Sequence, residues 1–592
     1  PLKIAHRPDA RCVDRASEMT HLPRNASPSV IPAAPRVRDP ALRSSPRPWH
    51  IVFLVGAILS GTCLRGTDAY AVLPVNGLHP TDFLAVPSTC EGVTLTNTTF
   101  PAADPTARYR EFVPDGAYMV GSPWPTWRGS SDRRGSSPYQ PSKDFFPTTG
   151  ATWRFRQTTL DSFVYASPVI DANGTVWVGN SRGVVFGVTE SGAKKWDKSL
   201  SGYILATIAL GSNNLMYVGV SGTPTAGVVY ALNHEAGGII WQQPVDGEIP
   251  SSPVLYGNKL YVATRQGTLY CMDANTNGTV EWSFQPQPGS AIVSSPAVDK
   301  FGNVYVTSSY EPEWTRQNRA EVEGEYAVYK ISPGGRKVWR FLAAYVLDAT
   351  PVLDETLGVV YVGTHDRRIL TLDIHTGSPR GCRQTGTAIS SSPALLPDGS
   401  LVYAGQDGFL YKCSPGCATL LWKVSPSSTG TTAEAAEVDA SPVATNSSLP
   451  PYFMSSPIVV GGGQSIFVVN FKGTVMSVDA ATGEKTFVAE MAGVGETIAV
   501  ASSPAIGRDG SIFVADYKGM LHGFTGNGGC PAGSFHTFDP GITAEVALTS
   551  SPPPPAAPRP PPVAKIFAPI YPVVLPGSNP LPPPPPSPPP PP

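Results

Sequence analysis

Ser167-Pro168-Val169-Ile170-Asp171-Ala172-Asn173-Gly174-Thr175-Val176-Trp177-Val178-Gly179 decides the fold, because its pattern returns all along the chain. A small residue and Pro open the pattern, a turn ends at Gly174, and a short aromatic-rich strand follows. A second turn at Arg182-Gly183 leads to the aliphatic run Val184-Val185-Phe186-Gly187-Val188, and Gly192 then precedes Trp196. Ser252-Pro253, Ser295-Pro296, Thr350-Pro351, Ser392-Pro393, Ser456-Pro457 and Ser503-Pro504 restart it, and Ala206-Thr207-Ile208 restarts it without its Pro, making eight copies between Ser167 and Phe538. Pro253 to Pro296 is 43 residues and Pro351 to Pro393 is 42, a period that belongs to solenoids and propellers. The segments are short, β-branched and aromatic, and bounded by Gly, Asn or Asp, so they read as strands. Four antiparallel strands per period predict an all-β, eight-bladed β-propeller.

Each part of the pattern has a physical role. Gly174, Gly183, Gly302, Gly399, Gly408, Gly473, Gly510 and Gly519 stand where tight hairpins need positive φ. Trp196, Trp241, Trp282, Trp339 and Trp422 fall on the fourth strand, where a broad indole buries against the next blade and holds together units that cannot stand alone. The Gly381-Cys382 region takes that place in copy five, Phe487 in copy seven, and Phe535 or Phe538 in copy eight. One spare match, Trp153-Arg154-Phe155, precedes the first copy, so a strand from the N-terminal side is expected to pair into the last blade and close the ring.

Val478-Asp479-Ala480-Ala481-Thr482-Gly483-Glu484-Lys485-Thr486-Phe487 resembles the repeat of pyrroloquinoline quinone (PQQ) enzymes, an aliphatic strand followed by Asp-Ala, Thr-Gly-Lys and Trp. Gly227-Val228-Val229-Tyr230-Ala231-Leu232 before Trp241 is a second copy, and Trp124-Pro125-Thr126-Trp127-Arg128-Gly129 is similar to the segment that opens such eight-bladed propellers. The resemblance covers about residues 120 to 540. It implies the fold, while the family holds dehydrogenases and non-enzymatic scaffolds alike. For a dehydrogenase it implies an axial pocket with a Trp floor and a disulfide of adjacent cysteines, and Ca2+ held by Glu, Asn and Asp. This chain has no Cys-Cys dipeptide and no Cys-x-x-Cys-His, and Asp366, Asp407 and Asp516 read as solvated turn residues. The expectation is therefore no catalytic residue, no metal site and no cofactor, with PQQ and Ca2+ reserved for the dehydrogenase alternative. A third reading, the bacterial outer-membrane assembly lipoprotein, needs a lipobox, and Leu59-Ser60-Gly61-Thr62-Cys63 carries its Cys one place too late.

Composition and the chain ends set location. A net charge of -2 argues against a nucleic-acid binder, and 15% charged residues are sparse for a protein relying on charge for solubility. The apolar run from Ile51 to Leu64 follows Arg36, Arg38, Arg43 and Arg47 and precedes Ala69-Tyr70-Ala71, which describes a secretory signal cleaved after Ala71. It is too short for a comfortable membrane span, so a signal anchor is the lesser alternative, as is a plastid-lumen transit peptide within residues 1–49. The division expected is a leader over 1–71, a linker over 72–120, the propeller over 121–540 and a Pro-rich tail over 541–592. Ser551 with Pro552 to Pro555, and Ser587 between Pro586 and Pro588, resemble the extensin and hydroxyproline-rich glycoproteins of plant and green-algal walls. Such runs form a polyproline II rod. After the leader six Cys remain, Cys90, Cys271, Cys382, Cys413, Cys417 and Cys530, and Cys413 with Cys417 is expected to staple a hairpin turn. Asn97, Asn173, Asn277 and Asn446 are N-glycosylation sequons.

Alternation of chain direction puts first-to-second turns on one face of the ring and second-to-third turns on the other, with the blade-to-blade connections. The insertions Tyr310 to Glu325, Ser425 to Ser455 and Thr223 to Ala226 all fall on the latter face. So do Arg182, Arg265, Arg367, Lys472 and Lys518, whereas Asp171, Asp299, Asp354, Asp398 and Asp509 occupy the opposite turns. Loops added to one face build binding surfaces. The expectation is a monomeric, secreted ring that binds an anionic wall polysaccharide or an extracellular protein through this basic face.

Overall fold

The computed structural model describes residues 117–141, 151–157, 162–310, 324–426, 452–491 and 498–524, with Leu95, Phe100 and the short strands Leu64–Gly66, Ala69–Ala71 and Phe535–Thr537. The signal-peptide run up to Cys63, Cys90, Cys530, Asn97, Asn446 and the Pro-rich runs lie outside the described residues. Among the described residues eight sheets follow one another, each built on four meandering antiparallel strands, with a fifth added to blade 4 by Ser290–Ala291 and to blade 8 by Phe535–Thr537. Blade 1 is Val169–Ile170, Val176–Gly179, Val184–Val188 and Lys194–Ser199, and blades 2 to 7 repeat that order. Strands one to three are almost wholly buried and strand four alternates toward solvent, as in Lys194–Ser199. Between successive sheets lie the apolar clusters that form the core.

Blade 8 closes the ring. Its first three strands, Ala505–Ile506, Ile512–Ala515 and Met520–Phe524, come from the C-terminal side, and the fourth is Trp153–Arg156, antiparallel to Met520–Phe524 with Trp153 opposite Gly523. This corrects the assignment of Phe535 or Phe538 to that strand. Phe535–Thr537 instead runs parallel outside Trp153–Arg156 as a fifth strand, because Trp153 already occupies the indole position.

The indoles dock as one series. Trp153, Trp196, Trp241, Trp282, Trp339 and Trp422 each lie over a positive-φ Gly in the third-to-fourth turn of the next blade, namely Gly192, Gly237, Gly278, Gly335, Gly377 and Gly483. Each Nε1–H donates to a carbonyl of that turn at 2.7 to 3.4 Å, from Trp153 to Glu190 through Trp422 to Ala480. Only Gly fits beneath an indole at this distance, which is why Gly recurs there. Blade 5 has Gly381 in the Trp register, opposite Thr371. The space is filled by the next blade's turn, where Cys413 and Cys417 are joined by a disulfide, Thr371 Oγ1 donates to the Gly416 carbonyl at 2.8 Å, and Gly416 N–H donates to Tyr361 Oη at 2.9 Å.

Candidate functional site

The first residue of each repeat points at the axis. Ser167 N–H donates to Thr207 Oγ1, Thr207 to Ser252 Oγ, Ser252 to Ser295, Ser295 to Thr350, Thr350 to Ser392, Ser392 to Ser456, Ser456 to Ser503 and Ser503 back to Ser167, all at 2.8 to 3.1 Å. The small residue of the repeat is thus a hydroxyl that links neighbouring blades in a closed circle. The missing Pro of copy two leaves the circle intact, because Thr207 supplies the hydroxyl.

One side of this circle is sealed by the lead-in. Between Tyr118 and Pro141 the chain passes under every innermost strand: Ile170 N–H donates to Trp124, Leu210 to Pro125, Val298 to Ser131, Leu353 to Asp132, Leu395 to Arg134 and Val459 to Gly135. Leu255 N–H donates to Tyr118 Oη, and Gly510 lies against Gln140 and Pro141. Two guanidiniums stand on the axis, fully buried. Arg128 donates to the carbonyls of Arg133, Pro457 and Pro393, and Arg133 to those of Pro296, Trp127, Ser252 and Pro253. Their planar forks satisfy inward carbonyls contributed by four different blades at once. Burial, with repulsion from Arg133, pushes Arg128 down to about 9. Burial pushes Arg133 down to about 10, against the pull of Tyr118 and Asp132. Both remain cationic at neutral pH.

On the opposite side no described segment makes such a row of bonds to the innermost strands, and among the described residues that mouth is open. Two residues before each hydroxyl stand Tyr165, Leu205, Pro250, Val293, Asp348, Ser390, Met454 and Ala501, all half-buried although the chain neighbours of each are buried. Strand alternation places them on the same side as the hydroxyls, so they line an axial mouth. Its rim is fixed by a backbone ladder: Ser181, Arg265, His365, Gln406, Phe471 and Tyr517, which begin second-to-third turns, donate N–H to Phe163, Glu248, Val346, Ala388, Tyr452 and Ala499.

The mouth has two dissimilar halves. Blades 7, 8 and 1 give an aromatic arc, with Tyr452 stacked on Phe471 at 4.9 Å, Phe471 against Tyr517 at 5.9 Å and Tyr517 edge-on to Tyr165 at 4.8 Å. Burial pushes the Tyr452 phenol up to about 12. Burial does the same to Tyr165, up to about 12 against a hydrogen bond with Tyr517, so both stay neutral. On the other half Glu248 is paired with Arg265 Nε at 2.7 Å and accepts from Tyr203 Oη, and Asp348 lies 2.9 Å from His365 Nε2.

The five basic residues expected at the face are all in second-to-third turns, with Arg182 exposed and Arg265, Arg367, Lys472 and Lys518 half-buried. Arg265 belongs to the rim through Glu248. The acids need two corrections. Asp171, Asp299 and Asp354 do not present a negative surface on the opposite face: they are buried and accept turn N–H groups, as Asp171 does from Asn173 and Thr175 at 2.8 Å. Nor are Asp366 and Asp516 solvated, since both are buried staples of their hairpins, with Asp516 Oδ2 2.8 Å from His522 Nε2. Asp407, half-buried, accepts from Tyr411 Oη. Asn173 and Asn277 are exposed at turns. Among the described residues no group of three His, Cys, Asp or Glu is arranged to hold a metal ion. Cys382 is also disulfide-bonded, and Cys271 is a buried thiol. The axial ring and the two guanidiniums were missed from sequence. The signal for the ring was the residue two places before each small-Pro pair.

A family model described as outer membrane protein assembly factor BamB matches residues 181–407 and 316–525. The chain belongs to this PQQ-like propeller family. The match lies within the ring and does not reach Leu59 to Cys63. Among curated proteins the chain is similar to outer membrane protein assembly factor BamB of Burkholderia pseudomallei, 24% identical over 279 residues, covering 44% of this chain and 66% of that protein. It is similar also to polyvinylalcohol dehydrogenase of a Sphingopyxis species, 23% identical over 237 residues, covering 30% of this chain and 36% of that one. Protein Rv3035 of Mycobacterium tuberculosis is 26% identical over 189 residues, 28% of this chain and 44% of its own length. The chain thus spans less than two thirds of each of these relatives. Among solved structures, quinohemoprotein alcohol dehydrogenase from Comamonas testosteroni superposes with a TM-score of 0.52 at 14% identity over 70% of this chain and 82% of that one, a likeness of fold.

Proposed function

We propose that this PQQ-like propeller is a secreted, non-enzymatic binding or scaffold module of the cell wall or extracellular matrix, and that it engages an extracellular protein or an anionic wall polysaccharide through the open face. The observation that carries this reading is the inequality of the two faces. One axial mouth is sealed by the chain's own lead-in, while the strand-two ends that carry Arg182, Lys472 and Lys518 surround the other. Both long insertions leave on that same face, since Val304–Tyr310 and Leu420–Val424 end there. Of the carboxylates described at the mouth, Glu248 is paired with Arg265 and Asp348 lies beside His365, which does not match the carboxylate and amide set that holds Ca2+ in a quinoprotein. The Cys413–Cys417 disulfide sits in an outer turn, remote from the axis, and joins no adjacent cysteines.

The dehydrogenase alternative draws on the likeness to polyvinylalcohol dehydrogenase. Titration of the full chain with PQQ and Ca2+, with dye-linked oxidation of alcohols and sugars, separates the two. No saturable binding and no turnover are expected, and stoichiometric binding with turnover replaces the scaffold reading by an enzyme. In parallel, Arg182→Glu, Lys472→Glu and Lys518→Glu together should abolish retention on wall material, and unchanged retention removes the basic face from the account.

A further inference from the structure

We propose that the chain's own Pro-rich tail, through the run from Pro552 to Pro562, seats on the aromatic arc of the open mouth. The topology delivers it there. Trp153–Arg156 is the fourth strand of blade 8 and therefore runs toward the face of the second-to-third turns. Phe535–Thr537 is parallel to it, so Thr537 leaves the ring on the open face and on blade 8. The arc belongs to that blade and its two neighbours: Tyr517 is on blade 8, Tyr452 and Phe471 enter blade 7, and Tyr165 enters blade 1. The exit point and the aromatic surface thus share one sector of one face.

Chemistry and reach agree with the placement. Polyproline II segments are recognised by rows of aromatic rings, because the rod has little conformational freedom to lose and its pyrrolidines lie flat on the rings. Tyr165 and Tyr452 are half-buried, neutral phenols that flank the buried rings of Phe471 and Tyr517, with half-buried Met454 two residues from Tyr452 on the segment entering blade 7, so rings of that kind edge the mouth. From Thr537 to Pro552 an extended chain covers on the order of 40 Å at about 3 Å per residue, and a blade is only four strands across, on the order of 20 Å. Occupation by the tail stands apart from the proposal of an outside partner. Where both hold, the two compete for the mouth.

Lys565 is the one lysine after Lys518, and Lys472 and Lys518 stand beside Phe471 and Tyr517 in the rim turns. Lysine cross-linking of the full chain, read by mass spectrometry on an equal mixture of light and heavy-isotope protein, is the test. Links from Lys565 to Lys472 and Lys518 within one isotopic chain are expected. They should be lost in Tyr165→Ser with Tyr452→Ser and kept in Tyr165→Phe with Tyr452→Phe. Replacing Pro552 to Pro555, Pro558 and Pro560 to Pro562 by Ser lies outside the ring and should likewise abolish the links without touching its fold. Absence of the links in the native chain, their persistence after the Pro-to-Ser replacement, or links found only between light and heavy chains overturns the proposal.

Discussion

Arg128 and Arg133 show how one side chain type serves a crowded axis. A guanidinium offers five fixed donors and no acceptor, and the inward carbonyls of Pro253, Pro296, Pro393 and Pro457 need donors that no strand supplies. Arg128→Met leaves two such carbonyls unpaired, and the loss of charged hydrogen bonds should destabilise the ring by about 3 kcal/mol in chemical denaturation. Arg128→Lys should recover little of it, since an ammonium cannot span two blades in a plane. Asp171 offers a pH test. Burial pushes its carboxyl up, but hydrogen bonds from His234, Trp177, Thr175 and Asn173 prevail and bring it down to about 2. A depressed carboxyl stabilises the fold fully above its unfolded value near 3.9, and that contribution disappears as pH falls through about 2. Denaturation between about pH 5 and pH 2 should therefore show a loss on the order of 2 kcal/mol that Asp171→Asn lacks, since Asn does not titrate there.

The docking indole belongs to the element scale, because it joins strand four of one blade to the third-to-fourth turn of the next. Trp339→Ala removes the cover over Gly377 and the bond to Ile374 O, and should cost about 3–5 kcal/mol. At Gly381 the opposite holds: Gly381→Trp does not restore a missing indole, because the Cys413–Cys417 turn already fills the space, with Gly416 O 3.1 Å from where a Cβ would lie. Overpacking there should lower the melting temperature rather than raise it. Cys417→Ser, by opening the short loop, should cost about 2 kcal/mol and raise hydrogen exchange first at Gly416 and Thr371. Sequence reading reached the blades, the Trp register and the closing strand because each is a local, periodic signal. It did not reach the partner of Gly381, because a turn that substitutes for an indole shares no residue type with it. It read Trp124 to Gly129 only as an opening motif, since Arg128 contacts carbonyls as distant as Pro457 and no period links them. It also placed Asp366 and Asp516 in water, where Arg368 and His522 across the hairpin draw them into the blade instead.

On the scale of the whole molecule the ring must close twice, once at the rim through Trp153–Arg156 and once at the axis through the circle of hydroxyls. Within the circle each hydroxyl accepts the one bond that its neighbour's N–H offers, so every member counts. Ser295→Ala leaves the Ser252 N–H buried and unpaired, which should cost about 1–3 kcal/mol. Ser295→Thr should be near neutral, because Thr207 and Thr350 already fill equivalent places. If the circle is a true ring constraint rather than eight separate bonds, two substitutions in distant blades, Ser295→Ala and Ser503→Ala, should together cost more than the sum of each alone. Residues far apart and without a shared partner are otherwise additive to within about 0.5 kcal/mol. Urea denaturation of the four variants measures the coupling directly. Strict additivity would reduce the circle to independent local bonds and leave Trp153–Arg156 as the element that holds the propeller shut.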